Sequence, residues 1–301
     1  MANSQPHIGS IILNDNIKKA VKLPNTVDLS VDKKAIVIKA FNANEVNQCL
    51  NKQVVNIFAS GPSIADLAFH ESLISEPSIF VNGSLSLTRE HSFSNIVGYV
   101  ISDARFIKNN PEVLSQYYKG QPLYATIAVY EAIRANLPNL ISQYHENMRV
   151  IFPADRPLSD KTNTRWLTSL PIIKKIVSKK IELSKFANHS SFVIDSSHEP
   201  EAIGVSLDVT DGFIEAGTVA YIAAQLAFSR QAGAIHLYGI DLLNSNKPRF
   251  YEDNSNNAPS KLDKAVADRI VPSFNLMGSV YSKRGVPLIN HSSVSKKLFD
   301  F

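Results

Sequence analysis

Three short polar clusters in this chain carry side chains suited to group-transfer chemistry, and each directly follows an apolar run. Ser60-Gly61-Pro62-Ser63 follows Val54–Ala59, Asn82-Gly83-Ser84 follows Ser78–Val81, and Ser102-Asp103-Ala104-Arg105 follows Ile96–Ile101. A strand, a glycine turn and a helix start together suit anion binding, because the first N–H groups of a helix are unpaired and its dipole favours negative charge there. Gly61 would let backbone approach a ligand, and Ser63 would cap the helix that the pattern Ile64–Leu73 predicts. Asn82 offers donors and an acceptor to a base or a sugar hydroxyl. Asp103 is of the right type for a general base, with Arg105 two residues on, although an Asp–Arg pair is also an ordinary structural device.

A fourth cluster lies far along the chain. Glu215-Ala216-Gly217 can turn into a helix beginning at Thr218, with Val219, Ile222, Ala223, Leu226 and Ala227 at helical spacing and small residues that allow close packing. Gly233 stands where that helix would stop. Ala234–Ile240 then reads as a strand buried on both faces, with Asp241 at its carboxyl end. The polar stretch beyond it holds Lys247, Arg249, Tyr251, Glu252 and Asp253. Arginine meets phosphate or carboxylate oxygens bidentately, and the neighbouring acids would otherwise serve only to neutralise it.

These clusters need a frame that brings them to one edge. Apolar runs alternating with helical patterns predict an α/β fold, a Rossmann-like, mostly parallel sheet with helices on both faces. Ligands in such sheets bind at the carboxyl ends of the strands. Further strands are expected at Ile8–Leu13, Ala35–Ile38, Leu123–Tyr130, Arg149–Phe152, Ser191–Ile194, Ile203–Val209 and Val286–Ile289, with Val280–Lys283 near the last of them and a helix over Leu262–Met277 bent at Pro272. The 301 residues suit a single domain, within which residues 155–190 form a basic helical insert or lid. In that insert Lys174, Lys175, Lys179, Lys180 and Lys185 lie among apolar residues, the pattern of a basic amphipathic helix facing an anionic surface.

Composition narrows the function classes. One cysteine, Cys49, excludes an intrachain disulfide and a cysteine-cluster metal site. No apolar run approaches the ~20 residues that cross a bilayer, and no secretory leader is read at the start. The net charge of +4 suits an anionic partner. Nucleic acid is not expected, as zinc-finger spacing, an RNA-binding aromatic signature and a long basic arm are all missing from the sequence. Neither G-x-G-x-x-G, G-x-x-x-x-G-K-[ST] nor G-x-S-x-G occurs, so dinucleotide, P-loop and hydrolase fingerprints are absent.

Taken together and in order, Ser60-Gly61-Pro62-Ser63, Val81-Asn82-Gly83-Ser84, Ser102–Phe106, Gly217-Thr218-Val219, Gly239–Leu242 and Arg249–Asn254 resemble the Kdo (3-deoxy-D-manno-octulosonic acid) transferases of lipopolysaccharide inner-core assembly, of the type that adds a third Kdo. The resemblance covers Ile57–Arg105 and Gly212–Phe274. A more distant similarity is to bacterial CMP-sialic acid sialyltransferases, which carry Asn where this chain has Ser60 and a lid histidine near Ala267–Pro272 where this chain offers only Asp268. The resemblance implies transfer of Kdo from CMP-Kdo to a sugar hydroxyl of Kdo–lipid A, with inversion and without metal or other cofactor. Another CMP-nonulosonic acid donor, or a non-catalytic nucleotide-binding role in envelope assembly, are the alternatives. It implies that Ser60–Ser63, Asn82, Gly83 and Ser84 hold cytidine and ribose. Gly217 and Thr218 would take the sugar carboxylate, and Arg249 and Tyr251 the phosphate charge. Asp103 beside Arg105 would be the base, with Asp241, Glu252 and Asp253 behind it. It implies a cytoplasmic enzyme, peripheral on the inner membrane. Neutralising Lys174, Lys175 and Lys179 together should then weaken sedimentation with anionic vesicles and spare turnover on a water-soluble acceptor; equal loss in both assays would refute that role.

Overall fold

The computed structural model describes residues 10–11, 21–156, 180–242, 250 and 265–301. Its centre is a nine-stranded sheet in the order β13-β12-β5-β6-β7-β8-β9-β4-β3. The strands are β3 (Thr26–Val31), β4 (Lys34–Ala40), β5 (Val54–Phe58), β6 (Ser78–Val81), β7 (Ile96–Ile101), β8 (Leu123–Ala125), β9 (Met148–Val150), β12 (Ala234–Tyr238) and β13 (Leu288–Asn290). All neighbours pair in parallel except the β3–β4 hairpin at one edge. Two short antiparallel pairs stand apart: β1 (Ser10–Ile11) with β2 (Val21–Lys22), and β10 (Phe192–Asp195) with β11 (Ile203–Ser206).

The period of two along each central strand divides the core. Val55, Ile57, Ile79, Val81 and Val100 face one side, and Phe58, Phe80, Tyr99 and Ile101 face the other. Helices α2 (Ala104–Asn109), α3 (Pro111–Tyr117), α4 (Ile127–Asn136) and α5 (Pro138–Tyr144) cover the phenylalanine side; α6 (Val219–Ser229) and α7 (Val271–Ser282) cover the valine side. A short α1 (Glu71–Ser75) completes the set. This is the expected α/β Rossmann-like architecture. From β5 the chain steps to β6 in one direction, and later, through α6, to β12 in the other. Right-handed crossovers that step in opposite directions put their helices on opposite faces, so the strand-order reversal, the place where such sheets take ligands in a crevice, lies at the ends of β5 and β12.

Several local expectations are corrected. Leu123–Tyr130 is not one strand: β8 stops at Ala125 and α4 begins at Ile127, because the Tyr130 hydroxyl turns inward to donate to the carbonyls of Leu123 (2.9 Å) and Arg149 (3.0 Å). Ile64–Leu73 is a 3₁₀ turn, Pro62–Asp66, followed by α1. Val280–Lys283 ends α7 and is not a strand, and α7 is preceded by a π-helical turn, Val266–Ile270, directly before Pro272. Gly233 is not the stop of α6. Gln231 holds the left-handed position there (φ 62°), and Gly233 is required because a Cβ would lie 2.0 Å from the Lys52 carbonyl.

Helix α6 spans the valine face from edge to edge. Its lower end is fixed at the amino edge of the sheet, where Leu50 and Lys52 donate to the carbonyls of Arg230 and Gln231. The buried Arg230 guanidinium bonds the carbonyls of Gln48 and Val97 and lies over the Tyr124 ring. In mid-helix, fully buried Gln225 accepts from the N–H groups of Ser206 and Ile214 and donates to the carbonyls of Ile214 and Tyr221. These bonds tie the helix to β11 and to the turn that opens it. Replacing Gln225 with Leu leaves two buried N–H groups and a carbonyl without that partner; at about 1–3 kcal/mol for each orphaned group, a loss of at least ~3 kcal/mol is expected in urea unfolding with little change in slope. A loss below about 1 kcal/mol would show that α6 is held by apolar packing alone.

Candidate functional site

The carboxyl ends of β12, β5, β6 and β7 are neighbours in the sheet, so Asp241, Ser60–Ser63, Asn82 and Asp103 share one rim. Because the lower end of α6 is at the amino edge, its first residues reach this same rim from the valine face. Gly217 and Thr218 therefore stand across the strand ends from the loops after β5, β6 and β7.

Asp241 holds the two central loops together. Its Oδ2 accepts from the Ser63 backbone N–H and its Oδ1 from the Ser63 hydroxyl, both at 2.6 Å. Beside them Gly61 donates to the Gly239 carbonyl (3.0 Å) and Ala59 to that of Tyr238 (2.8 Å). The loops are in such close contact that a Cβ on Gly61 would come within 2.6 Å of the Asp241 carboxylate, and one on Gly239 (φ 71°) within 2.5 Å of Ile64. This corrects the reading of Ser60–Ser63 as an open anion cradle capped by Ser63. Pro62 has no N–H, that of Ser63 already meets a carboxylate, and that of Ile64 bonds Gly61. The anion at this turn is the protein's own.

The loop after β6 divides in two. Ser84 is fully buried; its hydroxyl accepts from the Val81 N–H (2.8 Å) and donates to the Phe58 carbonyl, joining the ends of β5 and β6. Gly83 is buried beside it. In this structure both belong to the framework of the rim, Ser84 through these two bonds. Asn82 is different. It takes a left-handed backbone conformation (φ 49°), its carbonyl accepts from the Tyr99 hydroxyl (2.8 Å), and its side-chain Oδ1 is shut off from solvent without a partner among the described residues. Backbone strain and an unsatisfied polar atom at one residue of a strand-end rim mark a site organised for something other than stability.

Asp103 caps α2. Its Oδ1 accepts from the Arg105 N–H (2.9 Å), and its Oδ2 from Arg105 Nε (2.7 Å) and Nη2. Burial raises the Asp103 pKa, but the Arg105 side-chain and backbone hydrogen bonds and the guanidinium charge outweigh it, so the carboxyl is held below its ordinary value. The pair is open to solvent, with the Arg105 side chain 82% exposed. Across the rim, Gly217 (φ 84°) is exposed against Ile270, and the Thr218 hydroxyl caps α6 by accepting from the Ala220 N–H at 3.4 Å. Arg249, Tyr251 and Glu252, with Asp253 behind them, lie outside the described residues, as do residues 157–179 of the basic insert.

One group at the rim escaped the sequence reading. Asp155, five residues beyond β9, is 2% exposed, and its Oδ1 has no partner among the described residues. Burial raises its pKa more than the charges of Arg156, Lys180 and Arg269 lower it. The available signal was the one that singled out Asp103, an aspartate shortly after an apolar strand run.

Comparison with known proteins identifies a family. The family model described as 3-deoxy-D-manno-octulosonic acid transferase WaaZ matches residues 40–298. Among curated proteins, a "Probable 3-deoxy-manno-octulosonic acid transferase" of Salmonella typhimurium is 27% identical over 223 residues, covering 73% of this chain and 76% of its own. A protein of the same description from Escherichia coli (strain K12) is 24% identical over 244 residues, 80% of each chain. The match spans every strand from β5 to β13 and all four described rim clusters, and the chain belongs to the WaaZ family of Kdo glycosyltransferases of the lipopolysaccharide core.

Proposed function

We propose that the protein transfers Kdo from CMP-Kdo to a sugar hydroxyl of Kdo–lipid A, with inversion at the anomeric carbon. The observation that carries this reading is Asn82: a strained residue with an orphaned amide oxygen, at the strand ends beside the β5–β12 crevice, in a chain of this family. Ser60, Gly61 and Pro62 stand beside it on the loop that Asp241 holds rigid, and with Asn82 they would take cytidine and ribose. The exposed Gly217–Thr218 turn at the start of α6 would take the donor carboxylate, whose charge the helix dipole favours.

In the transfer step the acceptor oxygen attacks the anomeric carbon as its bond to the CMP phosphate breaks. The leaving group is a single phosphodiester turned monophosphate, whose charge protein donors can receive; Arg249 and Tyr251 are assigned that role, and no metal is invoked. Asp103 is the proposed base. Its lowered pKa keeps it ionised at neutral pH, and Arg105, largely exposed, must swing aside for it to accept the proton. The basic insert and the phosphorylated lipid acceptor suit a cytoplasmic enzyme at the surface of the inner membrane. Among the described residues no helix is long and apolar enough to cross a membrane.

Mass spectrometry of Kdo–lipid A incubated with enzyme and CMP-Kdo should show the mass of one added Kdo; CMP binding without any added Kdo would refute the transfer. Asp103→Asn should lower kcat about 100-fold or more, read as CMP release, with the KM for CMP-Kdo little changed; near-normal turnover would remove Asp103 from the chemistry. Asp241→Ala should weaken CMP binding by calorimetry about tenfold and cost about 2 kcal/mol in stability, as the loop loses both its hydrogen bonds to the carboxylate. Unchanged CMP affinity would separate this loop from the donor site.

A further inference from the structure

The surroundings of Asp155 ask for a ligand more insistently than those of Asp103. A buried carboxyl with an unpartnered oxygen lowers stability, and proteins retain such groups where function requires them. Three cations stand within electrostatic reach: Arg156, Lys180 and Arg269. Arg156 meets the Glu215 carboxylate through one nitrogen at 3.1 Å. Arg269, in the π-helical turn before α7, donates Nη2 to the Glu215 carbonyl at 2.6 Å. Lys180 lies 3.2 Å from Glu201. A guanidinium carries five N–H donors, so among the described residues both arginines keep several to offer. Glu215, which both arginines touch, is two residues before Gly217, so the cluster adjoins the turn assigned to the donor carboxylate.

The mixture of charges narrows the ligand class. A phosphate would bring up to two negative charges beside the buried carboxyl and offer it no hydroxyl, and a neutral sugar would leave the arginine donors unused. A sugar acid satisfies both: its carboxylate suits the planar forks of two arginines, and its hydroxyls are donors for a carboxyl oxygen. Position agrees as well. β9 is three strand spacings, about 14 Å, from β6, so the cluster lies beyond a nucleotide held at β5 and β6.

We propose that Asp155, Arg156 and Arg269, with Lys180 at their edge, form an acceptor subsite that recognises a polyhydroxy acid sugar: the guanidiniums take its carboxylate and Asp155 Oδ1 a hydroxyl. This rests on the reading that Kdo is delivered onto an acceptor that itself ends in an acid sugar. Such a reaction brings two carboxylates together, and like charges at close range need separate counter-groups. The start of α6 serves the donor, and the arginines serve the acceptor.

The test uses water-soluble, deacylated Kdo–lipid A backbone as acceptor, beside the same molecule with the Kdo carboxylate converted to carboxamide, with CMP-Kdo as donor. On the unmodified enzyme the carboxamide should raise the acceptor KM about tenfold or more and leave the KM for CMP-Kdo unchanged. Arg269→Gln should raise the KM for the native acceptor by a similar factor, and the carboxamide should add little further to that variant. Asp155→Asn should raise acceptor KM while its melting temperature at neutral pH stays level or rises, because an unfavourably buried charge has gone. Equal use of the two acceptors by the unmodified enzyme, or multiplying effects of Arg269→Gln and the carboxamide, would overturn the subsite and leave the CMP-Kdo transfer standing. If neither acceptor is glycosylated although CMP-Kdo binds, the acceptor assignment fails and the subsite fails with it.

Discussion

The contact between the Asp241 carboxylate and Ser63 is the constraint on which the rim depends. The sheet reverses its direction of growth between β5 and β12, and there two loops leave neighbouring strands for opposite faces. Nothing in a parallel sheet keeps such loops together past the last ladder bond. Here one carboxylate accepts a backbone N–H and a hydroxyl from the other loop, and two glycines permit the approach that makes those bonds short. A second clasp, Ser84 on the Phe58 carbonyl, extends the arrangement to β6. Beside these clasps the Asn82 amide oxygen has no partner among the described residues, which is why the donor is assigned there.

Helix α6 supplies the opposite wall, and its interior is polar in one place. Gln225 satisfies β11 and the 214 turn at once, so the start of the helix is fixed relative to the strand ends by hydrogen bonds as well as by packing. The same turn carries Glu215, and through it Arg156 and Arg269. One helix start thus connects the place assigned to the donor's carboxylate with the place assigned to the acceptor's.

Much of this was legible in the sequence, and the reasons are specific. The strands β5, β6, β7 and β12 are mainly apolar because both faces are covered, with Asn56, Ser78 and His236 as the polar exceptions, and the α6 pattern is unambiguous at helical spacing. The β8–α4 boundary was hidden because Leu123–Tyr130 is apolar on both sides of Thr126, which stands at the junction, and the inward Tyr130 hydroxyl belongs to the helix and not to the strand. Ser84 and Asn82 could not be told apart by type: both are small polar residues after a strand, and the difference is whether the side chain bonds inward. Ser63 and Asp241 were each identified as rim residues, but their mutual bond spans 178 positions and leaves no local trace. Asp155 obeyed the strand-end rule, yet it is buried two residues beyond the Pro153–Phe213 bridge, a long-range contact the sequence pattern does not display.

The central claim is that the crevice at the β5–β12 reversal is where the nucleotide of an activated acid sugar binds. A crystal structure of the protein with CMP tests it most directly. The account predicts the cytidine over the ends of β5 and β6, with the Asn82 side chain bonded to base or ribose and the Asp241–Ser63 bonds unbroken. Nucleotide bound away from this rim, with Asn82 Oδ1 still unpartnered, would contradict it.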